Sequence, residues 1–272
     1  MTALVERREV DERRGVLTLY DAARARLGLV ALLFVCAGVG WAWTAHAMRG
    51  MGAGPWTGLG GFAWFLGVWV VMMAAMMLPS VAPTVALFSR MMRQRSPLSP
   101  VAFVGGYLLT WAAAGVVAYG VGAGVTRALG DRLSWDNAGR PLAGATLLLA
   151  AAYELTPLKD VCLGKCRSPL GALLGSWRDG LQGAVRMGTR NGAWCLGCCW
   201  ALMASLFALG VMSIGWMAFV AALIAAQKTL PWRRVVGYGT AVILLALGVL
   251  VLAAPDALPG FTAPPTGMTA TM

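Results

Sequence analysis

Seven stretches of mainly apolar residues run through this chain, and each is long enough to cross a lipid bilayer as a helix. The hydrocarbon core of a bilayer is about 30 Å thick, so a spanning helix needs about 20 apolar residues. The last part of the fifth stretch merges with the sixth, and Gly210, Ser213 and Gly215 predict a turn that divides this run into a helical hairpin. The predicted spans lie near 27–46, 60–78, 101–125, 141–158, 192–211, 213–229 and 236–254.

The composition agrees with a membrane protein. Apolar residues make up 59% of the chain and charged residues 12%, and the net charge is +11. The basic residues lie in short segments between apolar stretches, whereas a nucleic-acid-binding domain collects them on one face. We therefore predict an all-α, polytopic membrane helix bundle that is surrounded by lipid and does not bind nucleic acid.

The distribution of basic residues predicts the orientation. Of the 22 Lys and Arg residues, 18 fall in alternate segments on one side of the predicted spans and 4 fall on the other side. Lys and Arg concentrate in cytoplasmic segments. This predicts a multi-pass protein of the inner, cytoplasmic membrane with its N terminus in the cytoplasm and its C terminus outside.

The chain divides into three predicted regions. Residues 1–26 form a cytoplasmic tail of mixed charge, which is unlike a cleavable signal peptide and predicts that the first helix is a retained anchor. Residues 27–254 form the transmembrane domain, with a cysteine-containing cytoplasmic loop at 159–191. Residues 255–272 are rich in Pro, Gly and Thr and are predicted to be disordered.

Prolines and glycines suggest how the helices end and pack. Pro79, Pro157 and Pro231 lie near the predicted cytoplasmic ends of helices two, four and six. We interpret them as helix terminators, with a polar vestibule on the inner side as the alternative. Gly120 and Gly124 have the GxxxG spacing that is typical of close helix packing.

Five of the six cysteines fall between positions 162 and 199. In the fifth helix Cys195, Cys199 and Met203 recur at i, i+4 and i+8, so they share one face, and Cys198 lies beside them. Cys195, Cys198 and Cys199 are the proposed core ligands of a metal site. Further candidates on the same cytoplasmic side are Cys162, Cys166, Met72, Met73, Met76, Met77 and Met203, with Glu154 as a charge or proton partner.

Reduced cytoplasmic thiols favour metal or catalytic use over disulfides. Thiolate and thioether donors select Cu(I), and they make Zn(II) less favoured because zinc prefers thiolate and imidazole ligands. The single histidine, His46, is predicted on the outer side. The role predicted from these donors is copper transport, sequestration or delivery, with a metal-delivery protein as a partner and the oligomeric state left open.

Two other functions are compatible with the sequence. Cys195 and Cys198 form a C-x-x-C pair, which predicts a membrane thiol-disulfide oxidoreductase if the pair starts a helix, because a helix N-terminus activates a thiol. The chain is alternatively an assembly subunit without chemistry of its own. In that case the methionines fill gaps between helices and the cysteines are small packing residues, so the sequence alone assigns no enzymatic activity.

Three motifs together resemble a known family. They are the Met72–Pro79 segment, the segment from Leu155 to Pro169 that contains both Cys162 and Cys166, and the Cys195–Trp200 element followed by Met203. They resemble a bacterial family of uncharacterised integral membrane proteins with a domain of unknown function, which is described as predicted metal-binding. The resemblance covers roughly residues 60 to 235 and implies a multi-helix inner-membrane protein with Cys and Met ligands.

The chain departs from that family at two positions. Gln227 precedes Lys228 where the family resemblance implies Glu-Lys, and Glu154 stands where glutamine is commoner. We hypothesise that these two side chains face each other and that a carboxylate has moved from one helix to the other. The hypothesis argues against carrying an acidic ligand over to position 227.

Overall fold

The computed structural model describes residues 27–47, 61–92, 98–130, 138–168, 171, 173, 175, 177–209 and 214–253. Within these residues the regular structure is helical and no strand occurs, which confirms the all-α class. The predicted tails, 1–26 and 255–272, lie outside the described residues. The helices are α1 Leu27–Ala47, α2 Phe62–Met92, α3 Ser99–Leu129, α4 Arg140–Glu154, α5 Pro157–Arg167, α6 Gly180–Leu209, α7 Ile214–Thr229 and α8 Arg233–Ala253.

The α2 helix is the most enclosed of the long apolar helices. Of its most apolar stretch 61% is buried inside the protein, against 22% for α1 and 28% for both α3 and α8. The helix continues through Pro79 and Pro83 to Met92, so the interpretation of Pro79 as a helix terminator is wrong. Pro79 lacks the backbone N–H that other helical residues donate. At the next position, the Ser80 hydroxyl donates to the Met77 carbonyl oxygen at 2.8 Å.

The outer faces of the long helices are apolar. Val39 on α1, Val117 on α3 and Val242 on α8 are each more than 60% exposed. In the described part of the chain, four helices (α1, α2, α3 and α8) are long and apolar enough to cross a membrane, or five spans if α4 and α5 count as one broken span. The α7 helix is apolar but shorter. The count of seven spans and the orientation of the termini therefore stay predictions.

The chain bends by 69° between α4 and α5. Thr156 leaves the helical conformation, and its side-chain oxygen accepts a hydrogen bond from Lys159 N at 3.4 Å, which caps α5. Pro157 is the first residue of α5, where the proline's missing N–H has no cost. The predicted fourth span at 141–158 is therefore interrupted near its end, and Cys162 and Cys166 lie on a helix rather than in an irregular loop.

The α3 and α6 helices pack very closely through glycines. A side-chain carbon on Gly106 would lie 2.2 Å from the Val185 carbonyl oxygen, and one on Gly188 would lie 2.0 Å from the Phe103 carbonyl oxygen. These contacts admit only glycine. The GxxxG prediction chose the wrong pair, because no described atom outside the local helix lies within 4 Å of a side-chain carbon at Gly120 or Gly124.

The α6 helix begins at Gly180, which has a φ of 81°, well before the predicted span at 192. The predicted loop at 159–191 thus contains α5 and the first turns of α6. The α6 helix ends at Leu209 and α7 begins at Ile214, so the long apolar run is divided into two helices where the sequence predicted a hairpin. The α5 and α7 helices both pack against α6, which carries the clustered cysteines.

Candidate metal centre

A group of three cysteine sulfurs lies between α5 and α6. The Sγ atoms of Cys166, Cys195 and Cys198 are all within 4.8 Å of one another. Two thiolates that each bind one ion at ~2.3 Å are at most ~4.6 Å apart. The three sulfurs are therefore close enough to share one ion after only a small adjustment of their side chains.

The backbone of α6 orients its cysteine side chains. The thiols of Cys198 and Cys199 both donate to the Cys195 carbonyl oxygen, at 3.1 Å and 2.9 Å. Cys195, Cys198 and Cys199 are at most 2% exposed, whereas Cys166 is only partly buried. The three-sulfur group contains Cys166 in place of Cys199, which the sequence had proposed as a core ligand.

The other sulfur candidates lie at different distances from this group. The Met77 Sδ atom is 3.9 Å from Cys195 Sγ, so this thioether borders the cluster. Cys162 Sγ packs against Gly197, where a side-chain carbon would approach it to 2.8 Å. Met72, Met73 and Met76 are buried in the apolar core. Met203 lines an apolar cavity with Trp69 and Trp200.

Two polar side chains that the sequence did not single out as site residues contact the cluster. The Lys228 Nζ atom lies 3.2 Å from Cys195 Sγ and 3.0 Å from the Ser80 hydroxyl. The Tyr107 hydroxyl lies 3.0 Å from Cys195 Sγ. An adjacent ammonium group favours the thiolate form of a cysteine. The sequence contained one sign that Lys228 belongs to the site. It lies in the last turn of a predicted span, and ionisable residues within spans are usually functional.

Glu154 belongs to a separate polar network. Its carboxylate pairs with the buried ammonium of Lys159, and its Oε2 accepts a hydrogen bond from Gln227 Nε2 at 2.8 Å. This contact confirms that positions 154 and 227 face each other. Gln227 Nε2 also donates to the Thr240 hydroxyl at 3.1 Å. The partners of Glu154 in this network are therefore nitrogen groups, and its role as a charge or proton partner of the sulfur cluster stays a prediction.

Arg167 joins α5 to the end of α7. Its guanidinium donates to the Gln227 carbonyl oxygen at 2.9 Å and to the Leu230 carbonyl oxygen at 2.7 Å. Cationic side chains pair well with the free carbonyls at a helix C-terminus. This clamp holds the residue next to Cys166 in place, and so it fixes α5 where its sulfur meets the cysteines of α6.

The oxidoreductase hypothesis depended on a C-x-x-C pair at a helix start. Cys195 and Cys198 instead lie in the interior of α6, because that helix begins at Gly180. The activation of a thiol by a helix N-terminus is confined to the first turn. The structure therefore removes the argument that favoured dithiol exchange at this pair.

The model of a protein family described as "PpoB2: Copper chaperone" matches residues 66–251. The matched region contains most of α2, all of α3 to α7 and most of α8, and it includes all of the candidate ligands. No curated protein and no solved structure matches the chain.

Proposed function

The chain belongs to the PpoB2 copper chaperone family. On that premise we propose that it is a multi-pass protein of the inner membrane that binds Cu(I) as its cargo. The ligands in this proposal are Cys166, Cys195 and Cys198, with Met77 as an additional soft donor. The observation that carries the proposal is the approach of three thiol sulfurs to within 4.8 Å of one another.

The donor chemistry supports copper over zinc. Thiolate and thioether sulfur are soft ligands that select Cu(I), while zinc sites of this size commonly add imidazole or a fourth thiolate. The described surroundings of the cluster supply a methionine sulfur, at 3.9 Å from Cys195 Sγ, and no imidazole. Two or three thiolates around Cu(I) leave the complex negatively charged, and the ammonium of Lys228, 3.2 Å from Cys195 Sγ, offsets that charge.

The different burial of the three cysteines suggests a route for copper. Cys166 is partly accessible, whereas Cys195 and Cys198 are 1% and 2% exposed. A metal passes between proteins when an incoming ligand replaces a bound one. In this proposal a thiol or thioether of a delivery partner replaces Cys166 first, and the two enclosed thiolates retain the ion until the exchange is complete.

The test is the copper content of the full chain purified without oxygen. We expect about one Cu(I) per chain in the natural sequence, and a loss of nearly all of it in the variant that carries Cys166→Ser, Cys195→Ser and Cys198→Ser, because a hydroxyl is not a soft donor. The matched control is Cys36→Ser, which replaces an exposed cysteine on α1. Circular dichroism of each variant verifies that the helices are retained.

Full copper content in the triple variant would refute this site. Absence of copper from the natural chain after anaerobic loading would instead favour the assembly-subunit hypothesis. A Cys195–Cys198 disulfide that forms and reverses without any effect of copper chelators would restore the oxidoreductase hypothesis.

A further inference from the structure

A groove runs along one side of the packed α3 and α6 helices and changes character along its length. One part is a cavity of about 920 Å³ whose lining includes Arg178, Arg186 and Arg190. The next part is a cavity of about 760 Å³ whose lining is almost entirely apolar. Both cavities are lined by Ala193, so the basic part and the apolar part adjoin.

The basic part has the properties of an anion site. Its three arginines are exposed and carry donors that pair with phosphate, and none of its lining residues is acidic. Thr110 and Thr189 line the same part, and the Thr110 hydroxyl donates to the Thr189 carbonyl oxygen at 3.1 Å, which joins α3 to α6 at this level.

The apolar part continues toward the middle of both helices. Val117 and Val121 of α3 and Leu196 and Trp200 of α6 line it. Trp111 also lines this part, and its indole N–H is buried without a hydrogen-bond partner among the described residues. A ligand in this part must therefore be mainly apolar, and one that brings a carbonyl oxygen would satisfy the indole donor.

The dimensions of the groove match one leaflet of a bilayer. The rise of 1.5 Å per helical residue places Ala204 about 16 Å from Ala193 along α6, and half of a ~30 Å hydrocarbon core is about 15 Å. The arginines lie on the other side of Ala193, at the level expected for headgroups. We infer that the α3–α6 groove binds an anionic phospholipid, with its phosphate at the three arginines and an acyl chain in the apolar part.

This inference rests on the membrane location proposed above but not on copper binding. Basic pockets between membrane helices on the cytoplasmic side typically bind anionic headgroups. The bound lipid would press against Leu196 and Gly197, which belong to the same turns of α6 as Cys195 and Cys198. The proposed lipid site therefore adjoins the turns of α6 that present the metal ligands.

The test is native mass spectrometry of the full chain in detergent, with phosphatidylglycerol and phosphatidylcholine of identical acyl chains added at equal concentration. We expect phosphatidylglycerol to stay bound and phosphatidylcholine to be lost. In the variant with Arg178→Gln, Arg186→Gln and Arg190→Gln, bound phosphatidylglycerol should fall by about tenfold or more. The control replaces three basic residues outside the groove and should behave as the natural chain: Arg90→Gln, Lys165→Gln and Arg234→Gln.

A second variant tests the apolar part. Ala193→Phe places a large ring at the junction of the two cavities and should reduce the binding of phosphatidylglycerol while all three arginines remain. Excess inorganic phosphate should not displace the lipid, because the acyl chain supplies part of the binding.

Four outcomes would overturn the inference. They are equal retention of both phospholipids, equal losses in the groove variant and its control, complete displacement by inorganic phosphate, and a dimer that Ala193→Phe abolishes, which would make the groove an interface between copies. The copper content of the same samples reports on the proposed function separately. Release of the chain from membranes by alkaline carbonate would refute the membrane location itself.

Discussion

Lys228 is the residue that most changes how the sulfur cluster is understood. It lies in the last turn of α7 and brings its ammonium to 3.2 Å from Cys195 Sγ and 3.7 Å from Met77 Sδ. Its third contact is the Ser80 hydroxyl, and no carboxylate among the described residues pairs with its charge. Its proposed role is to offset the charge of a thiolate, both before and after copper binds.

We expect Lys228→Met to weaken Cu(I) binding by about 10- to 100-fold, because a hydrogen bond to a charged group contributes about 1.5–3 kcal/mol. The measurement is competition with a coloured Cu(I) chelator under anaerobic conditions. Lys165→Met is the matched control, since it removes an exposed lysine on α5. Equal affinities in the two variants would show that the ammonium does not support the thiolate.

Gly197 offers a second test at the scale of one residue. An added carbon at this position would lie 2.8 Å from Cys162 Sγ, so the Cys162 side chain, or α5 with it, would have to shift. We expect Gly197→Ala to lower the free energy of unfolding by about 1–3 kcal/mol. Gly120→Ala is the control, because nothing described lies within 4 Å of that site, and alanine should there raise helix stability by about 0.5–1 kcal/mol. Denaturant unfolding in detergent followed by circular dichroism measures both, and equal effects would contradict the close packing.

The joint between α4 and α5 decides where Cys166 lies. The bend of 69° turns α5 back against α6, and the ion pair of Glu154 with Lys159 connects the two sides of the bend. Gln227 adds α7 to the same network through its bond to Glu154. The position of the Cys166 sulfur therefore depends on buried polar contacts in which no cysteine takes part.

The ion pair between Glu154 and Lys159 predicts how much the bend between α4 and α5 contributes to stability. Glu154→Gln leaves the ammonium of Lys159 buried without its counter-charge, and we expect a loss of about 3–5 kcal/mol of stability. The double variant Glu154→Gln, Lys159→Met removes both charges and should recover most of that loss. The readout is denaturant unfolding together with bound copper. A single variant as stable as the natural chain would show that the pair does not hold the bend.

At the scale of the whole molecule, the apolar exterior and the uneven distribution of basic residues predict how the bundle is inserted. A reporter fused after Met272 should behave as periplasmic, and one inserted near Arg93 should behave as cytoplasmic, because basic segments stay inside. The side of the membrane is measured at each position with two reporters, one that is active only outside the cytoplasm and one that is active only inside it. The opposite result at both positions would place the cysteines on the outer side and would remove the argument from reduced cytoplasmic thiols.

The helical class and the soft donor set are properties that the sequence determines by itself. Long apolar stretches leave the backbone no partner in lipid except its own helix, so composition and length are sufficient for that prediction. The helical spacing of Cys195 and Cys199 is likewise local. The contact of Glu154 with Gln227 is not local, because the two residues lie 73 positions apart. The sequence could offer it only as a hypothesis, drawn from two departures from the family that the chain resembles.

Only the tertiary structure decided which groups meet. Cys166 reaches Cys195 and Cys198 because the chain bends after Glu154, and a local pattern around Pro157 indicates a helix boundary but not the direction of the next helix. Lys228 reaches Cys195 from a helix 33 positions further along the chain. The close glycine contacts of α3 with α6 could not be predicted from the sequence either. They depend on which faces of two distant helices pack together and not on the glycine spacing within either helix.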